Sequence, residues 1–171
     1  MLVGIVLRNM PQPRESFAQM SLDEIDRRIL KALQRNGRMS NAELSEDVHL
    51  SPSACHRRVQ RMEKEGYIRD YVALLDPRKL GVPTTVFVEI TLRGQADEIL
   101  DAFEKSVARI PDVLECHLMA GSADYLLKVV AENTEDFARI HRQYLARLPG
   151  VGQMQSSFAL RTVCKTTALP V

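Results

Sequence analysis

Apolar residues recur at helical spacing through the first third of the chain and alternate in strand fashion through much of the rest. Leu22, Ile25, Ile29, Leu30 and Leu33 form one stripe, with Asp23, Glu24 and Asp26 in the first turn, where they suit the helix dipole. Asn36-Gly37 ends this helix. Ser40-Asn41-Ala42-Glu43 is a capping-box signature and opens a short helix that buries Leu44 and Val48. His49-Leu50 turns tightly into a third helix, which has Ser51 as cap, Pro52 at its first position and Gly66 as a left-handed exit. On that third helix Cys55, Val59 and Met62 face inward, while Ser53, His56, Arg57, Gln60, Arg61 and Lys64 face outward. Tyr67 to Leu75 then reads as a strand leaving the helices, and Asp76 to Gly81 as a single helical turn.

Beyond that turn the period changes. Thr84, Val86, Val88, Ile90 and Leu92 share one face of a strand, opposite Thr85, Phe87, Glu89 and Thr91. A helix follows with Ile99, Phe103, Val107 and Ile110 as its stripe, then strands over Leu114–Ala120 and Asp124–Ala131. Asn133 caps a further helix, striped by Phe137, Ile140, Tyr144 and Leu148, and a last strand covers roughly Met154 to Val163. Ile110-Pro111-Asp112-Val113 and Leu148-Pro149-Gly150-Val151 close the two helices with the same apolar-Pro-x-Val phrase. Strand-helix-strand twice over is the ferredoxin-like βαββαβ plan, with both helices on one face of an antiparallel sheet. The other face would hold Phe87, Met119, Leu126, Val130 and Ala159, much apolar surface for so small a domain. A second copy packed there, as a two-fold homodimer, covers it.

The fold class is therefore α+β, a winged-type helix-turn-helix followed by a ferredoxin-like sensing domain. Residues 1–20 are an extension expected to be poorly ordered, with Met20 as an alternative natural start and an added strand or partner-binding arm as another reading. Residues 21–66 form the helix-turn-helix domain, 67–83 a strand and linker, and 84–171 the sensing and oligomerisation domain.

Composition changes this picture only a little. The chain of 171 residues is 45% hydrophobic and 26% charged, with a formal net charge of +1, so a core can form and any basic signal is local. No apolar run is long enough to span a membrane, and no membrane partner is expected. Cys55, Cys116 and Cys164 lie far apart and are odd in number, which fits a reduced, cytoplasmic protein better than a disulfide framework. His49, His56, His117 and His141 show no metal spacing, no cysteine is paired and no phosphate loop occurs. No cofactor, metal or catalytic residue is expected, although the βαββαβ plan by itself also hosts enzymes.

The chemistry sits on the third helix. Its outward face offers donors and positive charge, with almost no apolar surface. In a helix-turn-helix such a helix enters the major groove of double-stranded DNA. Lys64, Arg61 and one of Arg57 or Arg58 are candidates for phosphates, and Ser53, His56, Gln60 and Arg57 for base edges, with Ser51 at the helix start. Arg57 and Arg58 are adjacent, so they cannot point the same way. An architectural protein that bends DNA without small-molecule input remains open beside a sensor.

Leu22-Asp23-x-x-Asp26-x-x-Ile29-Leu30, Leu50-Ser51-Pro52-x-x-Cys55-x-x-Arg58-Val59, Leu75-Asp76-Pro77 and Gly121-x-x-Asp124-Tyr125-Leu126-Leu127 together resemble the leucine-responsive regulatory protein/AsnC family of transcription regulators. The match runs from Ser21 to the C-terminus. Ser156-Ser157-Phe158-Ala159 with Thr166-Thr167-x-Leu169-Pro170 is similar to the branch that includes a cysteine-detoxification regulator, and effector identity does not rest on it. The family resemblance implies a sequence-specific DNA-binding regulator that responds to a small amino-acid effector and works as dimers, tetramers, octamers or larger rings. It places the effector between sensing domains of neighbouring dimers. The matching positions are Met119, Gly121, Ser122 and Asp124 in one turn, with Phe158 and Ala159 on a strand. Gly121 permits close backbone approach, exposed amides suit a carboxylate, and Asp124 suits an ammonium, although a turn aspartate also serves simply to close a hairpin.

Overall fold

The computed structural model describes residues 22–171, so the extension expected over residues 1–20 lies outside the described residues. The chain divides into two compact units. One runs from Leu75 to Val163; the other comprises residues 22–74 together with Cys164–Val171. The last segment, expected to end the sensing domain, thus groups with the helices.

In the helical unit, α1 spans Glu24–Arg35, α2 Asn41–Asp47 and α3 Pro52–Lys64. Capping decides all three starts. Asp23 accepts from the Asp26 amide and Asp26 returns the bond to the Asp23 amide, a capping box that the acidic first turn had not revealed. Ser40 and Glu43 form the anticipated box on α2, and the Ser51 hydroxyl accepts from the Ala54 amide at 3.3 Å on α3. Between α2 and α3 the chain reverses at His49, a non-glycine residue at φ 58°. Ile29, Ala32, Leu44, Val48, Cys55 and Met62 make the core. The tail joins it: Val171 packs against this core and the Leu169 carbonyl accepts from Gln34 Nε2 at 3.1 Å.

No strand forms over Tyr67–Leu75. Ile68 donates its amide to the Met62 carbonyl and Tyr71 its hydroxyl to Glu63, but Val72, Leu74 and Leu75 are exposed. A strand exists only against a partner strand, and the sequence pattern had named no partner. The single turn after it is present, with the Leu80 amide bonded to the Asp76 carbonyl and Gly81 at φ 79°.

The sheet unit runs β1 Thr84–Leu92, α4 Asp97–Val107, β2 Val113–Leu118, β3 Tyr125–Ala131, α5 Thr134–Gln143 and β4 Val151–Phe158. The strands lie in the order β2-β3-β1-β4 and every pairing is antiparallel, which is the ferredoxin-like arrangement. Val86, Val88, Ile90 and Leu92 are buried with Tyr125, Leu127, Val129 and Ala131 against Phe103, Val107, Phe137 and Ile140. Tyr144 is exposed and Leu145 buried in its place. The cause is local: α5 stops at Gln143 and a 3-10 turn, Leu145–Arg147, shifts the phase of the stripe. β4 also begins three positions earlier than its pattern suggested and ends at Phe158.

The helix-free face is more polar than expected. Phe87, Leu126 and Val130 do lie on it. They share it with Glu89, Gln155 and His117, and with a Lys128–Glu115 ion pair whose oxygen and nitrogen are 2.5 Å apart. The alternation of β1 had already put Glu89 on this face, whereas Glu115, His117 and Lys128 were not assigned to it because the register of β2 on β3 was not readable from sequence. No described helix is long and apolar enough to cross a membrane.

Candidate functional site

The first site is the outward face of α3. Ser53, His56, Arg57, Gln60 and Lys64 are all exposed there, while Cys55 and Met62 are fully buried on the opposite side. The start of the helix is held from two directions. Ser51 serves as its cap, with its hydroxyl 3.3 Å from that of Ser53, and Asn41 of α2 donates to the Pro52 carbonyl at 2.9 Å. These bonds fix the turn between α2 and α3, and hence the angle at which α3 is presented.

Two arginines on this helix are engaged elsewhere. Arg58 Nη1 donates to Asp23 Oδ2 at 2.7 Å and to Asp26 Oδ1 at 2.8 Å, and Arg61 Nη2 donates to Asp26 Oδ2 at 2.6 Å. The Asp26 side chain is 1% exposed and the two arginines 26% and 28%. Arg61 was expected on the outward face among the DNA-contacting residues. It is turned toward α1 instead, because Asp26 offers a desolvated carboxylate that solvent-facing placement would leave uncompensated. The same geometry resolves the Arg57/Arg58 alternative: Arg57 faces outward. The Asp26 amide and then the Arg58 guanidinium hold the Asp23 carboxyl below the ordinary carboxylate range. A signal for this was legible, since Arg58 lies three residues past Cys55 and four before Met62, on the flank of the buried stripe.

The second site is the β2–β3 turn. Met119, Gly121 and Ser122 are exposed, and a Cβ at Gly121 would meet nothing. Asp124 organises the turn: its carboxylate accepts from the Leu92 amide at 2.7 Å and from Gln95 Nε2 at 2.8 Å, and its amide donates to the Ile90 carbonyl. Each carboxylate oxygen already has one donor, so a ligand ammonium would be an additional one. Phe158 and Ala159 are not near this turn. Phe158 pairs with Val86 at the start of β1 and packs edge-on against Phe137, with ring centroids 5.3 Å apart, whereas the turn bonds to the end of β1. Six residues of strand separate the two, roughly 20 Å. The two candidate half-sites therefore lie at opposite ends of the sheet. Alternation along β4 also sends Phe158 to the helix face and Ala159 away from it.

Among the described residues no group of His, Cys, Asp and Glu has the makings of a metal site. Cys55 is buried, and burial pushes its thiol up; the Cys116 thiol is pushed up to about 11 by partial desolvation and by the Glu104 charge. Neither is poised as a nucleophile.

A capped helix-turn-helix with donors on its third helix, joined in one chain to a βαββαβ domain, is the architecture of a DNA-binding protein that carries a second domain. Comparison with known proteins agrees: residues 22–69 match the winged helix-turn-helix DNA-binding model and residues 85–169 the Lrp/AsnC ligand binding domain. The chain is 41% identical over 150 residues to the leucine-responsive regulatory protein of Escherichia coli K12, covering 88% of this chain and 92% of that one. A transcriptional regulator from Neisseria meningitidis, solved as an L-Met complex, superposes with a TM-score of 0.84 at 39% identity over 88% of this chain and 97% of its own. An AsnC family regulator from Agrobacterium tumefaciens gives 0.83 at 38%, over 86% and 96%. The chain belongs to the Lrp/AsnC family of transcription regulators. It is a DNA-binding regulator and not an enzyme.

Proposed function

We propose that the protein binds specific duplex sites as a homodimer or a higher assembly such as a tetramer or octamer, and that a small amino acid modulates that binding. The observation that carries the DNA half is the outward face of α3, where His56, Arg57, Gln60 and Lys64 stand exposed on a helix anchored by Ser51 and Asn41. Arg57 and Lys64 neutralise phosphates, and Ser53, His56 and Gln60 read base edges, with Arg57 reaching both. Arg61 is left out of this set by its bond to Asp26.

The effector half rests on the two half-sites. Met119, Gly121, Ser122 and Asp124 belong to one end of the sheet and Phe158 and Ala159 to the other, so a complete cleft needs the turn of one subunit and the strand of another. The backbone at Gly121 and Ser122 is exposed and its amides suit a carboxylate, and Asp124 both shapes the turn and offers spare lone pairs to an ammonium. The L-Met complex of the Neisseria regulator supports an amino acid as the class of ligand. Such an effector acts by favouring one assembly of dimers over another, with a coupling of typically about 1–3 kcal/mol.

Thermal melting against a panel of amino acids tests the effector half, since a ligand that binds only the folded assembly raises the melting temperature. A panel without any shift overturns it and leaves an architectural role. For the DNA half, Gln60→Ala should weaken a selected duplex by about 1–3 kcal/mol while sparing a scrambled one. Equal losses on both duplexes rule out base reading by Gln60.

A further inference from the structure

α3 carries Arg57, Arg58, Arg61 and Lys64, yet two of these four charges never reach its outward face. Arg58 and Arg61 converge on the two oxygens of one buried carboxylate, Asp26, and Arg58 also takes Asp23. Two positive and two negative side chains thus form a neutral cluster between α1 and α3. Stability alone is a weak reason for this arrangement, because desolvation offsets most of what a buried ion pair gains. The arrangement is also imperfect: among the described residues, buried Arg61 Nε has no hydrogen-bond partner, and Glu65 lies 3.8 Å away. What the cluster does change is the charge that a duplex meets.

We infer that Asp23 and Asp26 act as an internal stand-in for phosphate, occupying Arg58 and Arg61 and thereby setting the ratio of specific to non-specific DNA binding. This rests on the DNA-binding role of α3. Non-specific affinity is dominated by the number of phosphates neutralised, and each contributes about 0.9 to the slope of log K against log salt. Two guanidiniums free to sweep the backbone would tighten binding to every sequence alike. Held by α1, they add no such contact, and discrimination is left to Ser53, His56, Arg57 and Gln60. Asp26 is in these terms a positioning residue, since it acts through the arginines and touches no nucleic acid.

The test is the salt dependence of binding by the full chain, measured on a duplex selected from a random pool and on a scrambled duplex of the same length. Asp23→Asn is the gentlest variant, because asparagine caps a helix as well as aspartate does and only the charge is lost. Asp26→Asn removes the shared anchor. Both should steepen the slope on the scrambled duplex, Asp26→Asn by about 0.9 for each guanidinium released, and should shrink the ratio between the two duplexes. A purely structural role would weaken both duplexes together with the slope unmoved, and that result overturns the proposal. Should Asp26→Asn fail to fold, Arg58→Met and Arg61→Met decide independently. Each should leave the wild-type slope unchanged, whereas Arg57→Ala should lower it by about 0.9; a Met variant that lowers it as much as Arg57→Ala also overturns the proposal. If the wild-type chain binds neither duplex, it is the DNA-binding reading that fails.

Discussion

The two units bury very different things. In the sheet unit, the described core is hydrocarbon apart from the Tyr125 hydroxyl, which donates to Glu104 at 2.7 Å. The helical unit buries Asp26 and Ser45, and builds its α1–α3 contact around the carboxylate of Asp26. Apolar burial is non-directional, so the sheet core holds an architecture without specifying much else. An ion cluster has fixed geometry and fixed charge. The unit that meets an anion thus keeps part of its electrostatics inside, and the strength of that encounter is adjusted from behind the binding face.

The contrast can be broken in order of size. Phe103 is fully buried and stacks on Tyr125 with ring centroids 4.5 Å apart, so Phe103→Ala should cost the sheet unit about 3–5 kcal/mol in denaturant unfolding. A loss below about 1 kcal/mol would mean that the core re-closes around the gap. Asp26→Ala should cost the helical unit about 3 kcal/mol, the low end for breaking a buried pair, because both guanidiniums keep part of their hydration. If it proves neutral, the cluster contributes nothing to α1–α3 packing.

Titration should give smaller effects, and of the same sign in both units. The Asp23 and Glu43 carboxyls are held low by the amides of Asp26 and Ser40, Glu115 chiefly by Lys128, and Asp136 chiefly by the Glu132 amide. A folded-state value below the unfolded one favours the fold above the ordinary carboxylate value, near about 4, and that contribution fades as pH falls through the folded value. The melting temperature should therefore drop below about pH 4, whereas between about pH 6 and 8 the contribution of these groups is fully present and does not change with pH. A melting temperature that climbs in acid contradicts this. At the alkaline end the sign reverses. Tyr71 is pushed up to about 12 by partial burial and by Glu63, so its contribution is present below the ordinary phenol value and is lost as pH rises toward 12.

The smallest effect tests whether the tail belongs with the helices. Gln34 exchanges hydrogen bonds with the backbone of Leu169, and Gln34→Ala should lower the stability of the helical unit by about 0.5–1.5 kcal/mol. A chain ending at Lys165 should then be insensitive to the same substitution; continued sensitivity would show that Gln34 acts through something other than the tail.

Much of this molecule was set by local chemistry. The Ser40, Ser51 and Asn133 caps, the Val86-Val88-Ile90-Leu92 face and the Cys55-Met62 stripe all follow from which residues stand two, three or four apart, and short-range geometry acts the same way in any fold. What only the tertiary structure decided depends on residues far apart in sequence. Arg58 and Arg61 meet Asp26 across 32 and 35 positions, Gln34 meets Leu169 across 135, and Glu115 meets Lys128 through a strand register. Helical periodicity tells which way an arginine points around its own axis. Only the packing of α1 against α3 places a carboxylate there to receive it, and that placement separates the charges offered to DNA from those withheld.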